Sequence, residues 1–262
     1  MAKNTTLVTA FFDINRENNG DGRKISEYLA WIKKTLQLNC NLYIVTEAKF
    51  IDFMRKHRPK KYKTHYVCDT LSNALYYKYY DQIQEILSSA EYQSKISYPD
   101  RVECKLPEYN IIQYSKFGWL QKAIKENPFN TDYFFWVDAG ISRFFLDVNI
   151  NLPYPNEKKL TSIGKKFVIQ QKHTLNNYKF TDKFIWTAEN LLKGTMFGGH
   201  KDVIPIIGKH IEYEFTETML KNNNVNNEQL SLALVYHKYP YLFHLIRDSK
   251  HHLILFKLLS SI

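Results

Sequence analysis

The chain has 262 residues, 44% of them hydrophobic, with 36 lysines and arginines against 26 acids and a formal net charge of +10. That length and apolar content suit one large core, and no stretch approaches the roughly 20 apolar residues of a membrane span, so a single soluble, cytoplasmic domain over residues 1–262 is expected. The charge attracts phosphates of any origin, but the basic residues are scattered in short groups such as Arg55-Lys56-His57-Arg58, with no zinc-finger, basic-zipper or RNP pattern, so nucleic acid is not the favoured partner.

Thr6–Phe12 opens the chain as a strand. Ile25, Tyr28, Leu29, Ile32 and Leu36 then recur at helical spacing, Leu42–Thr46 is a second β-rich run, and Glu47–His57 is helical. A short strand near His65–Cys68 precedes a long helix carrying Leu71, Leu75, Ile83, Ile86 and Leu87. Lys116–Lys125 reads as another helix, ended by Asn127-Pro128. Next comes Tyr133–Val137, an aromatic and β-branched run with the composition of a buried strand. Beyond it the rhythm loosens into a loop with Pro153, Pro155 and Asn156–Thr161, a strand over Phe167–Gln171, and a strand or turn over Leu191–Gly199. Asn222–Asn227 is a polar break leading into a helix over Glu228–His237. Leu253–Leu259, behind Lys250-His251-His252, reads either as part of an amphipathic helix for peripheral contact with an anionic membrane or as ordinary packing. The alternation in the first half predicts an α/β fold with a partly parallel central sheet flanked by helices.

Chemistry is sought where such sheets bind ligands, outside the carboxyl ends of their strands. The apolar run ends in Asp138-Ala139-Gly140. An unpaired buried carboxylate costs several kcal/mol, so Asp138 belongs at the strand's end, either facing a cation or bonded to its own loop. At the end of the first strand, Thr9, Ala10, Phe11, Phe12 and Asp13 offer backbone to a nucleotide, while Arg16 meets either a phosphate or Asp13. Lys116, with Trp119 and Lys122, could reach a diphosphate as a point charge. The glycines within Gly194–His200 suit close backbone approach, and Glu228-Gln229 opens a helix whose N-terminus favours an acid with or without catalysis. His237, His244, His251 and His252 have no ligand spacing. Asn19-Gly20-Asp21-Gly22 lacks the third glycine of a dinucleotide fingerprint and reads as a flexible turn. No Walker, nucleophile-elbow, zincin or kinase signature occurs, and Cys40, Cys68 and Cys104 form neither a disulfide framework nor a zinc motif.

The Thr6–Asp13 and Phe135–Gly140 blocks resemble the HtrL family of bacterial glycosyltransferase-like proteins, found among surface-polysaccharide genes, and the similarity spans most of the chain. The resemblance implies a GT-A-like, Rossmann-like fold with a mixed, mostly parallel sheet, residues 1–140 forming the nucleotide-binding half and 141–262 the acceptor-side half. It also implies transfer of a sugar from a nucleoside-diphosphate donor, a UDP-sugar favoured, to a glycan or lipid-linked acceptor. Carried over by order, Lys116 takes the basic position, Asp138 the first Asp of a D-x-D and the metal ligand for Mn²⁺ or Mg²⁺, Gly198 and Gly199 the glycine segment, and Glu228-Gln229 the acidic-Gln pair. Gly140 stands where the second Asp would be, which removes a carboxylate from the metal. Two other readings are kept: a metal-dependent nuclease or phosphohydrolase using Asp13, Asp138 and Glu228, and a non-catalytic nucleotide-sugar-binding protein. All three require Asp13, Lys116, Asp138 and Glu228 to converge.

Overall fold

Strands that are apolar at every position need cover on both faces. The computed structural model describes residues 4–145, 148–175, 178–247 and 254–260. In chain order these form β1 (Thr5–Phe11), α1 (Arg16–Asn19), α2 (Ile25–Thr35), β2 (Asn41–Thr46), α3 (Ala48–His57), β3 (Thr64–Cys68), α4 (Tyr80–Ser88), α5 (Ala90–Lys95) and α6 (Pro107–Glu126). Then follow β4 (Tyr133–Val137), α7 (Glu157–Thr161), β5 (Phe167–Gln171), β6 (Leu192–His200), α8 (Ile204–Tyr213), α9 (Glu228–Lys238), β7 (Phe243–Arg247) and α10 (Ile254–Leu258). The strands make one seven-stranded sheet in the order β3-β2-β1-β4-β6-β5-β7, with β6 antiparallel to both its neighbours and the other pairs parallel. This is the mixed, mostly parallel sheet flanked by helices that the sequence predicts.

Alternate residues of each strand supply the two cores. Val8, Ala10, Tyr43, Val45, Phe134 and Trp136 join the core under α4, α6, α8 and α9. Leu7, Phe11, Leu42, Ile44, Phe135 and Val137 join the core under α2, α3 and α10. Each fully buried aliphatic or aromatic side chain contributes about 1.5–3 kcal/mol of transfer free energy, before the entropy of ordering it.

Three segments depart from the sequence reading, and a fourth resolves an alternative it left open. The stretch from Leu71 is not one long helix: Leu71–Asn73 and Tyr77–Tyr79 are single 3₁₀ turns, and α4 starts only at Tyr80. The break lets Tyr76 turn inward, with its ring 5.5 Å from Tyr114 and 5.1 Å from Phe215. α6 begins at Pro107, well before Lys116, with proline at the position where a missing N–H is tolerated. Asn156–Thr161 is not a loop throughout, because the Asn156 side chain accepts from Lys158 N and caps α7. The strand or turn over Leu191–Gly199 is the strand β6. In α10, Leu255 and Phe256 are core residues, and the Phe256 ring lies 4.8 Å from Phe145 and 4.4 Å from Tyr154. Lys250, His251, His252 and Leu253 lie outside the described residues, and among those described no helix is long and apolar enough to cross a membrane.

The strand order positions the site. From β1 the chain moves one way to β2 and β3, then returns to β1's other side as β4. Such a reversal opens a crevice beyond the carboxyl ends of the two central strands.

Candidate active site

A cleft of about 230 Å³ occupies that crevice, lined by Ala10–Glu17 after β1, by Trp136 and Asp138–Gly140 at the end of β4, and by Tyr109, Ile112, Gln113 and Lys116 of α6. Arg23, Ile25, Tyr28 and Arg143 complete its wall. Of the residues singled out in the sequence, Ala10, Phe11, Phe12, Asp13, Arg16, Lys116, Asp138 and Gly140 therefore share one cleft.

At its floor stands Lys116, whose side chain is only 2% exposed. Its ammonium donates to Glu228 Oε1 at 2.7 Å and to the Gly194 carbonyl at 3.1 Å, and lies 3.2 Å from Asp138 Oδ1. Two hydrogen bonds and one ion pair therefore hold the ammonium in place. Burial works against the charge on Lys116, but the carboxylates of Asp138 and Glu228 outweigh it and raise its pKa. Burial pushes the Glu228 carboxyl up, opposed by Lys116. Asp138 is held by the Trp136 indole, which donates to Oδ1 at 2.7 Å, and by its own backbone N–H, which donates to Thr195 O at 2.9 Å. The Trp136 ring stacks 5.8 Å from Trp119, which stacks 5.4 Å from Phe12, so the carboxylate is backed by a wall of rings.

Glu228 itself is fully buried and does not line the cleft. Its contact with the site runs through Lys116, and only Gly194 could stand beside it: a Cβ there would lie 2.2 Å from Glu228 Oε1. Gln229 lies at the start of α9, where its N–H donates to the capping Asn227 side chain, away from the cleft lining. Gly198 and Gly199 also lie outside the lining, and sheet packing explains both. A Cβ on Gly198 would come 2.1 Å from Phe134 O, and Gly199, at φ +148°, would bring one 2.1 Å from Lys166 O. Thr9 is buried in β1 with no partner for its hydroxyl. Arg16 does not meet Asp13: it pairs with Asp21 at 2.6 Å and donates to the Tyr28 hydroxyl at 2.6 Å. Asp13 accepts instead from Lys49 at 3.0 Å. His237 packs on Phe180 and His244 lies on the edge strand β7.

A divalent cation needs several oxygen ligands. Among the described residues no three His, Cys, Asp or Glu side chains stand together as such a set. Asp138 Oδ1 is already occupied by an ammonium and an indole N–H, and a Cβ at Gly140 would stand 3.2 Å from the Trp31 ring. Among the described residues Asp138 thus stands in no three-ligand set for a resident Mn²⁺ or Mg²⁺, Gly140 occupying the place of the second D-x-D carboxylate.

Sequence reasoning missed Tyr109, Gln113, Tyr28, Arg23 and Arg143. A signal existed for two of them, because Tyr109 and Gln113 lie on the helical stripe that leads to Lys116. Arg143 donates from Nε to Gly140 O at 3.1 Å, and its guanidinium carbon sits 4.4 Å from the centre of the Trp31 ring. Nothing local in the sequence announces that pairing.

Comparison with known proteins gives a match of residues 3–261 to the family described as "Bacterial protein of unknown function (HtrL_YibB)". Protein HtrL of Escherichia coli K12 is 25% identical over 268 residues, covering 94% of this chain and 88% of that protein. Mouse xyloside xylosyltransferase 1, apo form, aligns over 92% of this chain and 84% of its own, at 10% identity and a TM-score of 0.47. Core-mannan synthase A of Aspergillus fumigatus, in its Mn/GDP form, aligns over 94% and 73%, at 10% identity and a TM-score of 0.49.

Proposed function

The chain belongs to the HtrL_YibB family, and from that premise we propose that it is a GT-A-like glycosyltransferase, moving a sugar from a nucleoside-diphosphate donor to a glycan or lipid-linked acceptor of polysaccharide assembly. The observation that carries the reading is the buried Lys116 at the floor of a crevice between β1 and β4, tied to the carboxylates of Asp138 and Glu228. Donor binding is assigned mainly to residues 1–140, with Arg143 just beyond them, and acceptor binding to the rest of 141–262.

In such a transfer the acceptor hydroxyl oxygen bonds to the anomeric carbon. The bond from that carbon to the diphosphate oxygen breaks, the electron pair leaves with the diphosphate, and the hydroxyl proton must go to a base. Asp138 is the carboxylate facing the cleft next to Lys116, and we assign it that proton. Lys116 is held by Glu228, the Gly194 carbonyl and Asp138, so its contribution is the field of a fixed positive charge beneath the developing anion. Glu228 is a positioning residue that holds Lys116. The phosphohydrolase reading needs Asp13, Asp138 and Glu228 on shared cations, and the burial of Glu228 behind Lys116 speaks against it.

Thermal unfolding with UDP-, GDP-, CMP- and dTDP-sugars tests the reading. One nucleotide family is expected to stabilise the protein, by about 2.7 kcal/mol at roughly 100 times its Kd. Asp138→Asn should then lower nucleotide release in the presence of acceptor by about 10²–10⁴-fold. Binding without release in the wild type identifies a non-catalytic sugar-nucleotide binder, and no stabilisation by any donor overturns the proposal.

A further inference from the structure

We propose that Arg143 and Arg23, mounted on the Trp31 ring, bind the donor's diphosphate and do so without a divalent cation; the inference rests on the sugar-nucleotide reading above. Both arginines line the cleft. Their guanidinium carbons lie 4.4 Å and 5.8 Å from the centre of the same indole ring, Arg143 and Arg23 respectively. Two cations directed at one ring repel each other, and an anion bound between them relieves that repulsion.

The other cations of the cleft are committed. Arg16 is paired bidentately with Asp21, at 2.6 and 2.8 Å, and Lys116 is tied to Glu228, the Gly194 carbonyl and Asp138. Arg23 has Asp21 only at 3.9 Å. Arg143 has no carboxylate within ion-pair distance among the described residues; its Nε is fixed by Gly140 O at 3.1 Å, leaving the terminal nitrogens for a ligand. A guanidinium offers a planar fork that matches two phosphate oxygens, and stacking on Trp31 fixes its plane in advance. Gly140 lies within the arrangement: its carbonyl anchors Arg143, and a Cβ there would come 3.2 Å from the Trp31 ring, a tight contact that the ring would have to relieve by a small shift. The position that lacks a metal-binding carboxylate is thus the one that anchors an arginine.

Calorimetric titration of the full chain with UDP, GDP, CDP and dTDP and the matching monophosphates, in EDTA and in Mn²⁺, tests this. One diphosphate is expected to bind with a Kd that changes less than about twofold between the two conditions. Arg143→Ala should weaken that diphosphate on the order of tenfold and the monophosphate less, Arg23→Ala should act in the same direction, and Arg143→Lys should restore only part, because an ammonium cannot make the forked contact. Unchanged melting temperatures would assign these losses to the site and not to the fold. Diphosphate binding that requires Mn²⁺, or that is indifferent to both substitutions, overturns the inference and leaves the sugar-nucleotide reading standing. No nucleotide binding by the wild type in either condition overturns that reading as well.

Discussion

Lys116 sets the energetics of the site at the scale of one residue. A buried ammonium is tolerated only when its partners and hydrogen bonds offset desolvation, and here Glu228, Asp138 and the Gly194 carbonyl together do so. The dependence is mutual, because Glu228 is itself fully buried and its second oxygen, Oε2, has no hydrogen-bond partner. Lys116→Met removes the cation and leaves the carboxylate without its counter-charge. Breaking a buried pair from one side costs about 3–5 kcal/mol, whereas replacing both members with apolar groups of similar volume is often near neutral. Urea unfolding should therefore show a loss of about 3–5 kcal/mol for Lys116→Met, and much of it regained in Lys116→Met with Glu228→Leu. A single substitution costing less than about 1 kcal/mol, or a double one no better than the single, would show that the pair does not hold the floor of the cleft.

At the scale of elements, β6 does what a sixth parallel strand could not. It runs antiparallel between β4 and β5, and its glycines let the backbones close up. Gly198 faces Phe135 across the ladder, and a Cβ there would stand 2.1 Å from the carbonyl oxygen of Phe134, backbone that has little room to move. Gly198→Ala should destabilise the fold by about 3 kcal/mol, as overpacking does, and should also disturb the site because β4 carries Asp138 at its end. Gly22 gives a contrast at φ +75°: a Cβ added there would meet nothing within 4 Å, so only backbone strain would be felt. Chemical denaturation of both alanine variants checks this; equal losses would remove the packing argument. β1, β2, β4 and β5 were legible because burial on both faces leaves runs rich in apolar and β-branched residues, and α9 because Asn227 and the residues after it carry a capping signal, whereas the edge strand β7 was not read. The first half of α6 was not read either, since Asn110 and Ser115 are polar in sequence yet buried, Asn110 donating to the Glu103 and Leu106 carbonyls just before the helix and Ser115 accepting from Tyr76 N. The convergence of β1, α6 and β4 on one cleft rests on a strand order that the sequence does not carry, and Arg143 on Trp31 and Arg16 on Asp21 depend on loop geometry that periodicity does not carry.

Across the whole molecule the positive excess of +10 makes the remaining carboxylates matter for stability in acid. Hydrogen bonds and charge from Arg16 hold the Asp21 carboxyl below its ordinary value, and Lys201 and Asn4 do the same for Asp132. Lys201 stands 2.6 Å from Asp132, and the Asn4 amide donates to the same carboxylate at 3.1 Å. With the folded pKa lowered, the unfolded chain takes up protons first as pH falls. The stabilisation is therefore fully present above the unfolded value, at about pH 3.9, and is lost as pH drops through the folded values below it. Both carboxylates are partly exposed, so screening by water and salt keeps each contribution small. Protonation also adds to an existing excess of positive charge, so the losses should be steeper at low ionic strength. Melting temperature is expected to be flat from about pH 7 to 5 and to fall between about pH 4 and 2. Asp21→Asn with Asp132→Asn should melt lower than the wild type at neutral pH, with the gap closing as both carboxylates of the wild type become protonated. A gap that stays constant to about pH 2 would assign the effect of the substitutions to lost packing or hydrogen bonding and not to charge.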